Sequence, residues 1–187
     1  TEKIARFSLG AIPAVNCRPD RHALPEDGMP RKRKNKTVRI ISPSRGALPD
    51  RIAGQFIGSL LVFSDASQKR LGGLAAVLFD DPDGEPIVVS HSVPLAGSNE
   101  LELAAAVFAL QQAVLHFPGR PLALFSDNLD AVNRLRLAKR VGLADDPLLT
   151  GLLGGLSLDT AEIHWIKAHA SCRGNLIADL AAADAAK

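Results

Sequence analysis

The sequence predicts an α/β domain built on a mixed five-stranded sheet with helices on its faces. Two observations carry this. Three apolar segments between residues 58 and 93 are separated only by turn residues, the pattern of an antiparallel meander. From residue 98 onward, helical periodicity alternates with short apolar strands, which implies parallel strands joined by crossover helices. The predicted order is β-β-β-α-β-α-α-β-α.

The elements follow in turn. Gly58 to Asp65 reads as a buried strand ending in an acid, and Ala66 to Arg70 as a turn. Leu71 to Phe79 is a second apolar strand, with Gly72 and Gly73 near its start. Asp80-Asp81-Pro82-Asp83-Gly84 has turn chemistry, and Pro86 to Val93 is the third strand. A helix opens at Ser98; Leu101, Ala104, Ala105, Phe108 and Gln112 trace one face, and it stops before Pro118. Leu122 to Phe125 is a short strand followed by Asp127. Helices are predicted over Asn128 to Val141 and Asp146 to Leu156, a last strand over Ala161 to Ile166, and a last helix over Arg173 to Ala186. Trp165 reads as a core residue of that last strand, and Cys172 as a small loop residue without a role.

Residues 1–55 form a basic, proline-rich extension, and residues 56–187 the globular domain. Six of the 12 prolines lie in the extension, where apolar residues show no sustained period. Net charge is +2, but it is unevenly spread. Residues 1–51 hold 12 Lys/Arg against 5 Asp/Glu, and residues 52–187 hold 10 against 15. A basic arm on an acidic body points to a polyanion for the arm and a cation for the body. The densest run is Arg31-Lys32-Arg33-Lys34-Asn35-Lys36, followed by Thr37 to Ile41 as one short strand. It reads equally as a phosphate-binding arm, a solvated linker or localisation signal, or a segment that lies on a protein partner.

Composition excludes several classes. Tyrosine is absent and aromatics make up 4%, which argues against a stacking platform for single strands. The two cysteines, Cys17 and Cys172, make neither a disulfide framework nor a zinc set, so a reducing, cytoplasmic compartment is expected. No apolar run approaches a membrane span and no secretory signal is visible.

Four carboxylates fall at comparable places. Asp65 ends the first strand, Glu102 lies in the first turn of the first helix, Asp127 follows the fourth strand, and Asp179 lies early in the last helix. Each has a local explanation. Asp65 suits a turn, Asn99 and Glu102 suit a capping box, Asp127 suits a helix cap, and Asp179 suits a solvated helix face. If the first and fourth strands are neighbours, however, the four converge. Carboxylates that close raise one another's pKa unless a cation joins them, and hard oxygen ligands suit Mg²⁺ or Mn²⁺.

In these residues the chain resembles the ribonuclease H type 1 family, over about residues 58–187. Phe63-Ser64-Asp65-Ala66-Ser67 followed by glycines is similar to that family's first-strand motif. Ser98-Asn99-Glu100-Leu101-Glu102-Leu103-Ala104-Ala105 is similar to the stretch around its catalytic glutamate, which puts Glu102 rather than Glu100 in that position. Phe125-Ser126-Asp127-Asn128 is similar to the third motif. Trp165-Ile166-Lys167-Ala168-His169, then Gly174-Asn175 and Ala178-Asp179, is similar to the fourth, with ten residues from His169 to Asp179.

The resemblance implies an RNase H-like fold and an endoribonuclease that cuts the RNA strand of RNA–DNA hybrids with two Mg²⁺ ions, Mn²⁺ being a possible substitute. It implies Asp65, Glu102, Asp127 and Asp179 as metal ligands and His169 as a loop residue assisting proton transfer or product departure. Glu102 is also expected beside the 2′-OH that distinguishes RNA from DNA. Ser67, Asn99, Asn128 and Asn175 are the implied substrate contacts. There are departures. Leu176 stands where the family often has Glu. The interval between Asp127 and His169 is short, so a basic protrusion carried by some bacterial members is missing; Arg134, Arg136, Lys139 and Arg140 offer a smaller basic face. The extension shows no match to the family's hybrid-binding domain. Two alternatives stay open: a binding or assembly module on this fold whose arm contacts a partner, and the RNase H portion of a reverse transcriptase or mobile element.

Overall fold

A computed structural model of the chain describes residues 46–143, 146–167 and 172–187. The basic run Arg31–Lys36, the strand expected at 37–41 and His169 lie outside the described residues. The described residues belong to one unit, Ile41–Lys187.

A short helix α1 (Asp50–Ala53) and a 3-10 turn (Gly54–Phe56) lead into strand β1 (Leu60–Gln68). Then come β2 (Gly72–Phe79), β3 (Ile87–Val93), helix α2 (Ser98–His116), β4 (Leu122–Ser126), α3 (Leu129–Val141), α4 (Pro147–Leu153), β5 (Ala161–Trp165) and α5 (Arg173–Ala185). The sheet order is β3-β2-β1-β4-β5. β1–β2 and β2–β3 are antiparallel, whereas β1–β4 and β4–β5 are parallel. The expected mixed five-stranded sheet is therefore present, with β1 and β4 adjacent.

Alternation along the strands makes two cores. Leu60, Val62, Leu78, Leu122, Leu124 and Ile163 face a layer that includes Leu103, Val107 and Leu110 of α2, Leu135 of α3 and Leu149 of α4. Leu61, Phe63, Val77, Phe79 and Phe125 face the other way, onto Ala178 of α5. That second core reaches further back than the boundary expected after residue 55. Ala47 and Leu48 are buried within it, and the 3-10 turn adds Phe56, edge-on to Phe125 at 5.0 Å. The sequence hid this because two buried residues in a proline-containing stretch show no period.

The first strand is longer than expected. Ala66, Ser67 and Gln68 pair with Leu74, Gly73 and Gly72, so they extend the strand and the turn shrinks to residues 69–71. Small and polar side chains read as a turn, but the register with the glycines keeps the ladder going. Asp65 thus lies inside β1 rather than at its end.

Glycine sets how α5 lies on the sheet. A Cβ on Gly73 would stand 2.1 Å from the Ala182 carbonyl oxygen, and one on Gly174 would stand 2.3 Å from the Phe63 ring. Both are far inside van der Waals contact, so α5 rests on bare backbone at β2 and against the aromatic core at its start. Gly73→Ala is expected to displace the helix and to destabilise the fold by about 1–3 kcal/mol, since backbone rather than a pliable side chain blocks the methyl. Chemical denaturation checks this; an unchanged midpoint would contradict the close packing.

The edges of the sheet differ. On β5, the Arg136 Nε donates to the Ile163 carbonyl and the Lys139 Nζ to the Ala161 carbonyl, both at 2.8 Å. Two basic side chains thereby cover carbonyls of an edge strand. On β3 the side chains stay largely exposed, including Ile87 and Val88. No helix among the described residues is long and apolar enough to cross a membrane.

Candidate active site

The parallel pairing of β1 with β4 builds the site. Phe63 is level with Phe125, so Asp65 and Asp127 come level two residues further on. β4 ends at Ser126, while β1 continues, paired to β2. The two acids therefore stand at the carboxyl end of adjacent parallel strands, where open α/β sheets place their ligands.

Glu102 comes from α2, and the geometry of that helix start explains why it is available. The N-cap is Gly97, two residues before the Asn99 expected from sequence. The Gly97 N–H donates to the Glu100 carboxylate at 3.3 Å, so Glu100 takes the capping role that the sequence offered to Glu102. Glu102 lies two residues further along the helix, between the buried Leu101 and Leu103. Nor is Asp127 the N-cap of α3. Asn128 caps α3, its Oδ1 accepting from the Ala131 N–H at 2.9 Å, and the Asn128 N–H donates to Ser126 Oγ at 3.2 Å.

One carboxylate oxygen each from Asp65, Glu102 and Asp127 lies within 4.8 Å of the others. Asp65 is 7% exposed, and the Oε2 of Glu102 is buried without a hydrogen-bond partner. The electrostatics follow. Burial first, then Asp127 and Asp179, pushes the Asp65 carboxyl up to about 7. Burial first, then Asp65 and Asp127, pushes Glu102 up to about 8. A hydrogen bond from the Ala66 backbone acts in the opposite direction on both.

Asp179 stands slightly apart. The sequence expected it as a fourth member, but the close group holds three acids, and Asp179 acts on Asp65 through its charge. It comes from α5, on the layer opposite Glu102. That helix is held at both ends. Arg173 donates to the Gly84 carbonyl and to Glu85, both at 2.8 Å, and its guanidinium lies over the Phe79 ring. At the far end Lys69 Nζ and Ser92 Oγ donate to the Ala183 and Ala185 carbonyls at 2.6 Å.

The implied substrate contacts separate. Ser67 is half-buried and Asn99 exposed, and the Asn128 Nδ2 donates to Asn99 Oδ1 at 3.4 Å, so two helix starts meet beside the acids. Asn175 is 4% exposed, in the first turn of α5. A buried amide presents no surface to a large ligand, so its place is within the fold rather than on the rim. The basic face is also partly committed. Arg134 grips Asp146 through two bonds at 2.9 and 2.8 Å, and Arg136 and Lys139 hold β5 as described. Leu176 is exposed on α5, where the replaced side chain removes none of the clustered acids.

Trp165 is the residue that the sequence misplaced. It is 48% exposed rather than core, and its indole N–H donates to the Asp127 carbonyl at 2.9 Å. Period-two alternation placed it inward with Ala161 and Ile163, but the strand ends there and the core does not extend over it.

The donor set fits a hard divalent cation. Three carboxylates from three segments meet, burial and repulsion push two of them up to about 7 and about 8, and one buried oxygen has no protein donor.

Fold and site define an α/β protein with a carboxylate cluster at the ends of two parallel strands. The chain belongs to the RNase H family, whose model matches residues 58–187. No curated protein matches the chain. Among solved structures it is similar to RNase H1 from the halophilic archaeon Halobacterium salinarum NRC-1, at 22% identity and a TM-score of 0.51, covering 68% of this chain and 97% of that one. It is similar to LC11-RNase H1, isolated from compost by a metagenomic approach, at 12% identity and TM-score 0.52, covering 70% and 100%. It is also similar to part of the prototype foamy virus protease-reverse transcriptase, at 19% identity and TM-score 0.55, covering 70% of this chain and 21% of that one. At these identities the likeness is one of fold.

Proposed function

We propose that the protein is a metal-dependent endoribonuclease that hydrolyses the RNA strand of RNA–DNA hybrids. The observation that carries this is the meeting of Asp65, Glu102 and Asp127 within 4.8 Å at the carboxyl ends of β1 and β4, in a chain of the RNase H family. These three would hold divalent metal, and Asp179, close enough to act on Asp65, would complete a second position. When bound, a pair of Mg²⁺ ions supplies an activated water and relieves charge on the leaving oxygen.

The chain's own residues do the rest. Asp65, on which Asp127 and Asp179 both act through their charge, would be a ligand common to the two positions. Glu102 accepts from the 2′-OH beside the scissile phosphate, the group that DNA lacks. Ser67, Asn99 and Asn128 form the rim on which the hybrid rests. His169 carries a proton or helps the product leave. Water adds across the bond between phosphorus and the 3′ oxygen, leaving a 5′-phosphate on one fragment and a 3′-hydroxyl on the other. The basic run Arg31–Lys36 attracts the phosphates of the hybrid in a reducing, cytoplasmic setting.

Asp127→Asn tests the reading. The variant is expected to fold with the wild-type circular dichroism spectrum and to lose Mg²⁺-dependent cleavage of a hybrid. Cleavage by the variant at the wild-type rate would remove Asp127 from the site.

A further inference from the structure

We propose that Trp165 is a positioning residue for Asp127, acting through the backbone to hold that carboxylate ready for the cation. The inference rests on the metal reading above and concerns a residue that this reading does not use.

Asp127 lies between two regular ladders. On one side the sheet bonding of β4 ends where the Ile166 N–H donates to the Ser126 carbonyl at 2.9 Å. On the other, the helical ladder of α3 begins where the Val132 N–H donates to the Asn128 carbonyl at 3.2 Å. The Asp127 carbonyl falls in the gap, and the Trp165 indole N–H takes it at 2.9 Å. With Ser126 Oγ holding the next amide, the main chain on the helix side of Asp127 is fixed at two successive groups. A carboxylate carried on one short stem then has little freedom beyond its own rotamers.

A core-filling role does not explain the residue. Ala161 and Ile163, which precede it on the same face of β5, are buried, whereas Trp165 is half-exposed. The indole is the only tryptophan in the chain, and its one donor goes to the main chain of a clustered acid. Groups that orient a ligand from behind typically set its metal affinity, and their loss costs roughly 10–100-fold. Because Trp165 grips the backbone rather than the carboxylate itself, the lower end of that range applies.

Trp165→Phe in the full chain tests this, since it keeps an aromatic ring and deletes the N–H. Mn²⁺ binding is measured by calorimetry, melting is measured in EDTA, and hybrid cleavage is followed as metal is varied. The expected results are a dissociation constant for Mn²⁺ raised about tenfold and an unchanged melting temperature in EDTA. The KM for hybrid should be unchanged, with a kcat that falls at limiting metal and recovers at saturating metal. Equal Mn²⁺ affinity in both proteins overturns the assignment of Trp165 and leaves the metal site standing. A large loss of melting temperature in EDTA overturns it in favour of a structural role. If the wild type itself binds no Mn²⁺, the metal reading fails and this inference with it.

Discussion

Asp65→Asn is expected to abolish metal-dependent hydrolysis and, at the same time, to stabilise the metal-free fold. Asp65 is the acid on which the cluster converges: Asp127 and Asp179 both push its carboxyl upward, and it pushes Glu102 in turn. Asn has nearly the same shape and cannot ionise. The site then loses a ligand charge from its centre, and hydrolysis should fall by at least about 10³-fold, a barrier increase of ~4 kcal/mol. Without metal the same change removes a buried charge and its repulsion. At pH 8 the variant should gain on the order of 1–2 kcal/mol, or roughly 2–8 °C in melting temperature for a chain of this size. Wild-type rates, or a melting temperature in EDTA below that of the wild type, would contradict the placement of Asp65. A purely structural aspartate would show the opposite pair of effects.

The second large effect is in pH. In the folded chain Asp65 keeps its proton to about 7 and Glu102 to about 8, whereas their ordinary values are 3.8 and 4.5. Between those limits the folded state binds more protons than the unfolded one, so stability falls as pH rises from about 4 to about 8. The contribution is intact below the unfolded values and lost once pH passes the folded ones. One pKa unit corresponds to about 1.4 kcal/mol. The two acids share a repulsion, so their joint loss is on the order of a few kcal/mol rather than the sum of two separate shifts. Asp146, held low by Arg134, acts in the other direction at the acid end. Comparing wild type with Asp65→Asn/Glu102→Gln at each pH isolates the cluster. In EDTA the variant should gain on the wild type as pH rises, and Mg²⁺ should close that gap above pH 7. A constant difference across the range would contradict the buried, repelling cluster.

Much of this was legible in the chain because strand register and motif spacing agree. Asp65 and Asp127 each follow an aromatic by two residues, Phe63 and Phe125, and those aromatics pair directly across β1 and β4. A sequence that repeats an aromatic-Ser-Asp unit on two neighbouring strands thus reports its own register. What stayed hidden depended on neighbours that sequence does not rank. Asn99 and Glu102 fit a capping box on paper, and only the start of α2 at Ser98 gives that role to Gly97 and Glu100 instead. Trp165 looked like core because alternation says which face a residue takes but not how far the core extends along a strand. Asn175 was a contact that the resemblance implied, yet it is buried in the first turn of α5, where Gly174 packs against Phe63. Ala47 and Leu48 became core through a second layer that no local period announces.

The central claim is tested most directly by presenting the protein with matched RNA–DNA, RNA–RNA and DNA–DNA duplexes of one sequence, in Mg²⁺ and in EDTA. The expected result is cleavage of the RNA strand of the hybrid alone, giving 5′-phosphate and 3′-hydroxyl ends, and no cleavage in EDTA or by Asp65→Asn. Cleavage of all three duplexes, cleavage that persists in EDTA, or an intact hybrid in Mg²⁺ with the wild-type protein would contradict it.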